Sequence, residues 1–482
     1  MDNNDLYKAI KHYANEDYVN FHTPGHCQGE WVEEKLKKML GEDVFKADLT
    51  ELPGLDNISF PESSLKKAEK LASKTFNSDV TRYLVNGATA GIVASILSTV
   101  KNNENVLIPR NAHKSVYSGI ILSGAKPVYI PLKRLYNGFS LNIDKDSLTT
   151  LLQKYSGTVL MLTNPSYFGV CIDLLSIRRE AGKDRVMIVD EAHGAHLSLT
   201  NKLPLGASES AADIWVQGIH KNLGSLTQSA MLHWKETNVD SFRIQLMLQL
   251  LQSTSPSYLL LLSLELARES LEKYMYLWDD FIERVNTFRE RISKISGVKL
   301  LGYDLELAPE FLLDTTKVTL FTGELGLTGY EAADILRKDY KILVELAGVD
   351  HILFYLTPAH TNNTLNYLYD ALSDISSRYF HKMAATQPTI STDIIPRIPR
   401  NIFTPAQALE KKAVHVDINE AVGKVSANFV VPYPPGTPIL VPGELITAEI
   451  IEYINKTDSI KGSYLEGIYR HNNKSYIKVV QE

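Results

Sequence analysis

The stretch "VQGIHKN", residues 216–222, decides how the rest of the chain is read. A short apolar run ends at Gln217, a glycine follows, and a histidine and a lysine then stand side by side before a flexible polar turn. Most lysines are solvated surface charges, so Lys221 gains meaning only from its surroundings. Working outward, short apolar runs bounded by turn residues recur at 80–85, 105–109, 127–131, 158–163, 185–190, 213–217 and 229–233. They predict seven strands. Several gaps, such as those holding IVASILSTV (92–100) and VYSGIILSG (116–124), are long enough for a crossover helix. Most of the strands are therefore expected to be parallel and buried on both faces of an α/β sandwich.

From 241 to about 296 the apolar spacing turns helical, with a break near Pro256, and a long connecting helix is expected. KVTLF (317–321), the helix-like TGYEAADILRKDY (328–340) and KILVELAGVDHILFYLTP (341–358) then give a β-α-β-β order, which suits a smaller α+β domain. The domain reading is a lead segment 1–60, a large cofactor-binding domain 61–300, a small α+β domain 301–383, a Pro/Thr/Ser-rich linker 384–404 and a C-terminal α+β domain 405–482.

The 482 residues carry 50 Lys plus Arg against 56 Asp plus Glu, a net charge of −6, which is not the basic footprint of a nucleic-acid binder. The opening MDNNDLYKAIKHYANED lacks a signal-like apolar core, and no run approaches the ~18 apolar residues of a membrane span. Cys27 and Cys171 are too few and too far apart for a disulfide framework, so a reducing, cytoplasmic home is expected.

Three further stretches bear on Lys221. In "NGATAGIVAS" (86–95) a small-residue turn follows a strand and opens a helix, where backbone N–H groups, the helix dipole and the Thr89 hydroxyl can converge on an anion. Alone, it is equally a plain tight turn. "VDEAHGAHL" (189–197) puts Asp190 at the carboxyl end of an apolar strand, the edge where open α/β sheets bind ligands. Glu191, His193 and His196 have the right types for a metal, but the spacing supplies no HExxH helix and no third ligand, so no metal is expected. An acid at that edge has a better use beside a pyridine nitrogen, which it keeps protonated so that the ring accepts carbanion electrons. Pyridoxal phosphate wants that acid, a lysine for a Schiff base and a cup for phosphate, and Asp190, Lys221 and the 86–91 turn supply them. His113, in "RNAHKSVYSG" after another strand, is either a ring-covering group or an exposed histidine at a helix start; His220 is a phosphate neighbour or an ordinary loop residue.

The chain resembles the Orn/Lys/Arg decarboxylase family, fold type I pyridoxal phosphate enzymes of the aspartate aminotransferase superfamily. The resemblance is carried in order by "FHTPGH" (21–26), "DLTELPGLDN" (48–57), "NGATAG" (86–91), "RNAHKS" (110–115), "TNPSYFGVCIDL" (163–174), "VDEAHGAH" (189–196), "HKNLGSLTQSAMLH" (220–233) and "EAVGKVSANFVVPYPPGTPILVPGE" (420–444). It implies an aspartate aminotransferase-like large domain with a mostly parallel seven-stranded sheet. It also implies Lys221 as the Schiff-base lysine, Asp190 as the partner of the ring nitrogen, His113 as the stacking group, Ala88, Thr89 and His220 near the phosphate, and His193 supporting the cofactor. The chain begins almost directly at the family's lead segment, which implies the short form without an N-terminal wing domain. Where the family usually has serine, asparagine, lysine and glycine, this chain has Gly218, Ile92, Cys27 and Ser63. The first two are expected to touch the phosphate cup, Gly218 as a lost hydroxyl.

The implied reaction is decarboxylation of arginine, lysine or ornithine to the corresponding amine, in the service of polyamine metabolism. Its stereoelectronic demand is that the bond to the carboxylate stand perpendicular to the ring. A cationic substrate side chain needs an acid, and Glu444, Glu345 and Glu51 are the candidates. Fold type I enzymes build sites from two subunits, which implies a homodimer or a higher homo-oligomer. The same Lys and Asp would also serve transamination or elimination, and the changes at Gly218 and Ile92 would suit a catalytically weak or silent paralogue.

Overall fold

The computed structural model describes residues 5–135, 139–383, 396–432, 436–460, 462–472 and 474–481. Of the expected linker, 384–395 lies outside the described residues. The chain forms two compact units: residues up to Thr99 with Gly182–Asn201 and Leu205–Met275, and Val100–Ala181 with Lys202–Pro204 and everything from Tyr276 onward.

Seven strands make up the main sheet, numbered here β1 (Val80–Leu84), β2 (Asn105–Pro109), β3 (Lys126–Ile130), β4 (Val159–Thr163), β5 (Met187–Asp190), β6 (Ile214–Gln217) and β7 (Ala230–Trp234). In the first unit the order is β1-β7-β6-β5, with β1/β7 and β7/β6 antiparallel and β6/β5 parallel. In the second it is β4-β2-β3, all parallel. The sheet is thus mixed and mostly parallel, and the strands lie within two residues of the apolar runs that predicted them. β5, β6 and β7 are buried at every position, as strands covered on both faces should be.

The helix Gly87–Thr99 follows β1. It lies so close to the sheet that a Cβ at Gly91 would sit 2.7 Å from Leu84 Cδ1 and 3.0 Å from Val216 Cγ1, so glycine is the residue that permits this approach. On β7 the fully buried His233 stacks on Trp215 with ring centroids 5.3 Å apart, and its Nδ1 lies 2.8 Å from Thr81 Oγ1. Burial pushes the imidazole down to about 3, so it is neutral in the folded protein.

The long helix expected through 241–296 is three helices, Ser241–Leu251, Tyr258–Tyr274 and Leu277–Ile292. The first break falls near Pro256 as expected; the second, at Met275–Tyr276, has no glycine or proline to announce it. In the second unit the β-α-β-β stretch forms the strand Lys317–Phe321, the helix Gly329–Asp339 and the strands Leu346–Ala347 and His351–Tyr355, within an antiparallel four-stranded sheet completed by Lys299–Leu300. The helix starts at a Thr328/Glu331 capping box, which satisfies two amides of its first turn. The tail strands Ala413–Asp417, Lys474–Val480 and Ile468–His471 form a three-stranded sheet. Ile418, Val430, Leu440, Ile450, Ile454 and Ile477 give the tail its own apolar core.

Candidate active site

Within the first unit, β5 and β6 are parallel neighbours with Asp190 in register with Val216, so both strands deliver their carboxyl ends to one edge. Asp190 ends β5, and Gly218 after β6 begins the single helical turn Ile219–Asn222 that carries Lys221. From that edge Lys221 Nζ reaches 2.7 Å from Nε2 of His193, which stands three residues past Asp190. Either nitrogen can carry the shared proton, so the contact suits a proton exchange between amine and imidazole.

Asp190 is buried, with one carboxylate oxygen accepting the Ala192 N–H at 3.1 Å. No hydrogen bond to its Oδ2 occurs among the described residues. Glu191 has a different job: it is fully buried, its Oε1 accepting Ala207 N–H at 2.6 Å and its Oε2 accepting Gln217 Nε2 at 2.7 Å. Burial pushes its carboxyl up to about 8 against the pull of those two donors. Glu191 therefore braces the loop behind the strand ends and leaves the acid and histidine grouping considered for a metal.

The helix Gly87–Thr99 begins with Gly87 at a φ of 74°, Ala88 half-buried and Thr89 exposed. Its first-turn N–H groups have no helical acceptor of their own, which leaves them for an anion. Ile92 is 1% exposed and belongs to the core, so its side chain does not belong to an exposed phosphate cup, contrary to expectation. Gly218 is also constrained by packing. Its φ of −85° suits any residue, but an added Cβ would lie 2.8 Å from the Ala192 carbonyl oxygen and 3.3 Å from Lys221 Cδ. A side chain at 218 would therefore crowd the lysine and the Asp190 loop, which pass close by.

His220 donates Nδ1–H to the Ser229 carbonyl at 2.8 Å. Burial lowers its pKa, Ser229 opposes and the Lys221 charge adds to the lowering, so the ring is neutral near pH 7 with Nε2 as an acceptor. It becomes a phosphate donor only when Nε2 takes up a proton. The residues present fit pyridoxal phosphate: helix first-turn amides with no helical acceptor of their own, a lysine 2.7 Å from a histidine nitrogen, and a buried carboxylate with one oxygen that takes no hydrogen bond among the described residues.

Residues 4–304 match the Orn/Lys/Arg decarboxylase major domain, and residues 389–480 match the C-terminal domain of the same family. The chain belongs to the Orn/Lys/Arg decarboxylase family. Membership brings pyridoxal phosphate as the cofactor and lyase chemistry, the decarboxylation of an amino acid. The arginine decarboxylase of Bacillus subtilis is 36% identical over 456 residues, which cover 94% of this chain and 93% of that one. The inducible lysine decarboxylase of Escherichia coli is 24% identical over 592 residues, covering 99% of this chain and 81% of that one. Among solved structures, the lysine decarboxylase LdcF of Francisella novicida superposes with a TM-score of 0.86 at 21% identity, over 99% of this chain and 81% of that one, a likeness of fold.

The second unit of this Orn/Lys/Arg decarboxylase holds His113, Glu345 and Glu444. His113 is exposed and caps the helix Lys114–Ser123, its Nδ1 accepting the Ser115 N–H at 3.2 Å and lying 2.9 Å from Ser115 Oγ. Of the three acids considered for the substrate side chain, Glu444 is ruled out by its surroundings, being fully buried and paired at 2.6 Å with Arg110. Glu345 is exposed and accepts the Tyr167 hydroxyl at 2.6 Å; Glu51, in the first unit, is also exposed. Sequence reasoning passed over Arg110 and Tyr167, although both stand inside quoted motifs, "RNAHKS" and "TNPSYFG".

Proposed function

We propose that this chain decarboxylates a basic amino acid, arginine in preference to lysine or ornithine, and that its amine product feeds polyamine metabolism in the cytoplasm. The observation that carries the reading is the 2.7 Å approach of Lys221 Nζ to His193 Nε2, beside an Asp190 carboxylate with an unused oxygen. The preference for arginine rests on the higher identity to the relative named for it.

When bound, pyridoxal phosphate supplies a ring that accepts the electron pair left behind as CO₂ departs. The chain's residues do the rest. The first-turn amides at Ala88 and Thr89, with the Thr89 hydroxyl, would hold the phosphate, and His220 would add a donor only once its Nε2 is protonated. Asp190 Oδ2 holds a proton on the ring nitrogen. His193 Nε2 would take a proton from Lys221 Nζ, and the neutral amine is what would hold the cofactor. With the cofactor bound, Lys221 Nζ and His193 Nε2 would be the groups that hold the proton needed where CO₂ departs. His113 would cover one face of the ring, a role that rests on the family resemblance.

We infer a homodimer at least. The lead segment exposes Phe21 (96%), Trp31 (84%) and Met39 (83%), apolar surface that a second copy would cover. The deciding experiment measures CO₂ release from arginine, lysine and ornithine in parallel with pyridoxal phosphate bound. Arginine is expected to turn over fastest, and release from none of the three would refute the reading.

A further inference from the structure

The tail stretch "TPILVPGE", residues 437–444, is fastened to the segment on either side of His113. Arg110 follows β2, and its N–H donates to the Ile130 carbonyl at 3.1 Å. Its guanidinium grips Glu444 with two parallel bonds, Nη1 to Oε1 at 2.6 Å and Nη2 to Oε2 at 3.0 Å, and Nη2 also donates to the Ile439 carbonyl at 2.9 Å. The Arg110 side chain is 8% exposed and that of Glu444 is 0%. Tyr129 presents its ring 4.7 Å from the guanidinium carbon.

The acid is prepared for this grip. Val441 N–H donates to Glu444 Oε2 at 2.8 Å, across a turn whose Gly443 has a φ of +93° and where a Cβ would strike the Phe403 carbonyl at 2.4 Å. Further ties follow along the segment. The Thr437 hydroxyl donates to the Asn111 carbonyl at 3.4 Å, the Lys114 N–H donates to Gly436 O at 3.3 Å, and the Lys114 ammonium pairs with Glu466. The Tyr117 hydroxyl closes the segment onto the Arg110 carbonyl at 3.2 Å. Residues 110, 111 and 114 are each held by the tail, and His113 stands among them.

We propose that Arg110 and Glu444 are positioning residues: their buried pair anchors the C-terminal domain to the 110–117 segment and so sets where His113 presents its ring. The inference rests on the reading of His113 as the group that covers the cofactor. Its physical basis is that two buried, bidentate charges accept no substitute partner, so the pair fixes a single register where a surface pair would slip.

The test uses Glu444→Gln in the full chain, with three readouts: thermal unfolding, amide hydrogen exchange of the cofactor-free protein, and pyridoxal phosphate affinity. Exchange across 110–117 is expected to speed up while 187–190 stays protected. Cofactor affinity is expected to fall about tenfold, the size of one lost bond to a charged group. If Glu444→Gln does not fold, the double variant Arg110→Met with Glu444→Met removes both charges and takes its place in the same measurements. Native-like protection of 110–117 in the folded variant overturns the anchor. So does uniform acceleration along the chain with unchanged affinity of the folded protein, which marks a merely structural role. His113→Ala separates the two layers: if it binds the cofactor as tightly as the parent chain, the covering role of His113 fails and the functional half of the proposal falls with it, while the exchange data still decide whether the pair holds the segment.

Discussion

Replacing Gly218 by serine exposes the reasoning most sharply, because the sequence and the structure predict opposite signs. Read from the family pattern, Gly218→Ser restores a hydroxyl for the phosphate and tightens binding. Read from the structure, the new Cβ stands 2.8 Å from the Ala192 carbonyl oxygen and 3.3 and 3.4 Å from Lys221 Cδ and Cε. The Ala192 carbonyl is backbone, and it already accepts the Gly218 N–H at 3.3 Å, so moving it also loosens that bond. Overpacking of this kind costs about 1–3 kcal/mol. At roughly 2–4 °C per kcal/mol for a domain of this order, Tm falls by about 2–12 °C. Because the relief comes partly from Lys221, cofactor affinity should drop by about tenfold or more, each decade being ~1.4 kcal/mol. Gly218→Ala shows the same clash without the hydroxyl, and Gly323→Ala, with nothing within 4 Å of its Cβ, is the control and leaves Tm nearly unchanged. Titration of cofactor-free protein with pyridoxal phosphate, alongside thermal unfolding, reads both effects. Tighter binding by the serine variant at an unchanged Tm would refute the close-packing argument.

Asp190→Asn should keep the cofactor's visible absorbance and lose turnover by on the order of 10², since an amide cannot hold the ring proton as a carboxylate does. Full activity in that variant would remove Asp190 from the chemistry. His233 predicts a pH effect on stability. Its folded pKa, pushed down to about 3 from 6.5, means that the unfolded chain binds the extra proton first. The stability it contributes is complete above pH 6.5 and is lost as pH falls toward about 3, at up to about 1.4 kcal/mol per pH unit. His233→Leu, which leaves Thr81 Oγ1 with Ser78 as a partner, should flatten the acid limb of a denaturation series by about one proton. An unchanged limb would show that other groups dominate it.

The main sheet was legible because Val, Ile and Leu runs bounded by turn residues leave few alternatives, and Asp190 and Lys221 were legible because strand ends locate a ligand edge. What escaped was tertiary. The acid at 444 looks the same in sequence whether it faces a substrate or an arginine 334 positions away. Gly218 looks like a deletion until the distance to the Ala192 carbonyl is measured. Ile92 sits in a phosphate motif yet points into the core, since a helix turns its successive residues to different sides. The break at Met275–Tyr276 has ordinary helix formers on both sides.

Lys221 is the residue proposed to hold the cofactor. Borohydride reduction of the cofactor-loaded chain, followed by digestion and mass mapping, tests that role directly. The pyridoxyl group is expected on the peptide that contains "VQGIHKN", at Lys221, and a Lys221→Ala variant is expected to fold with an unchanged Tm and to remain unlabelled. A pyridoxyl group on any other lysine of the parent chain would contradict that role.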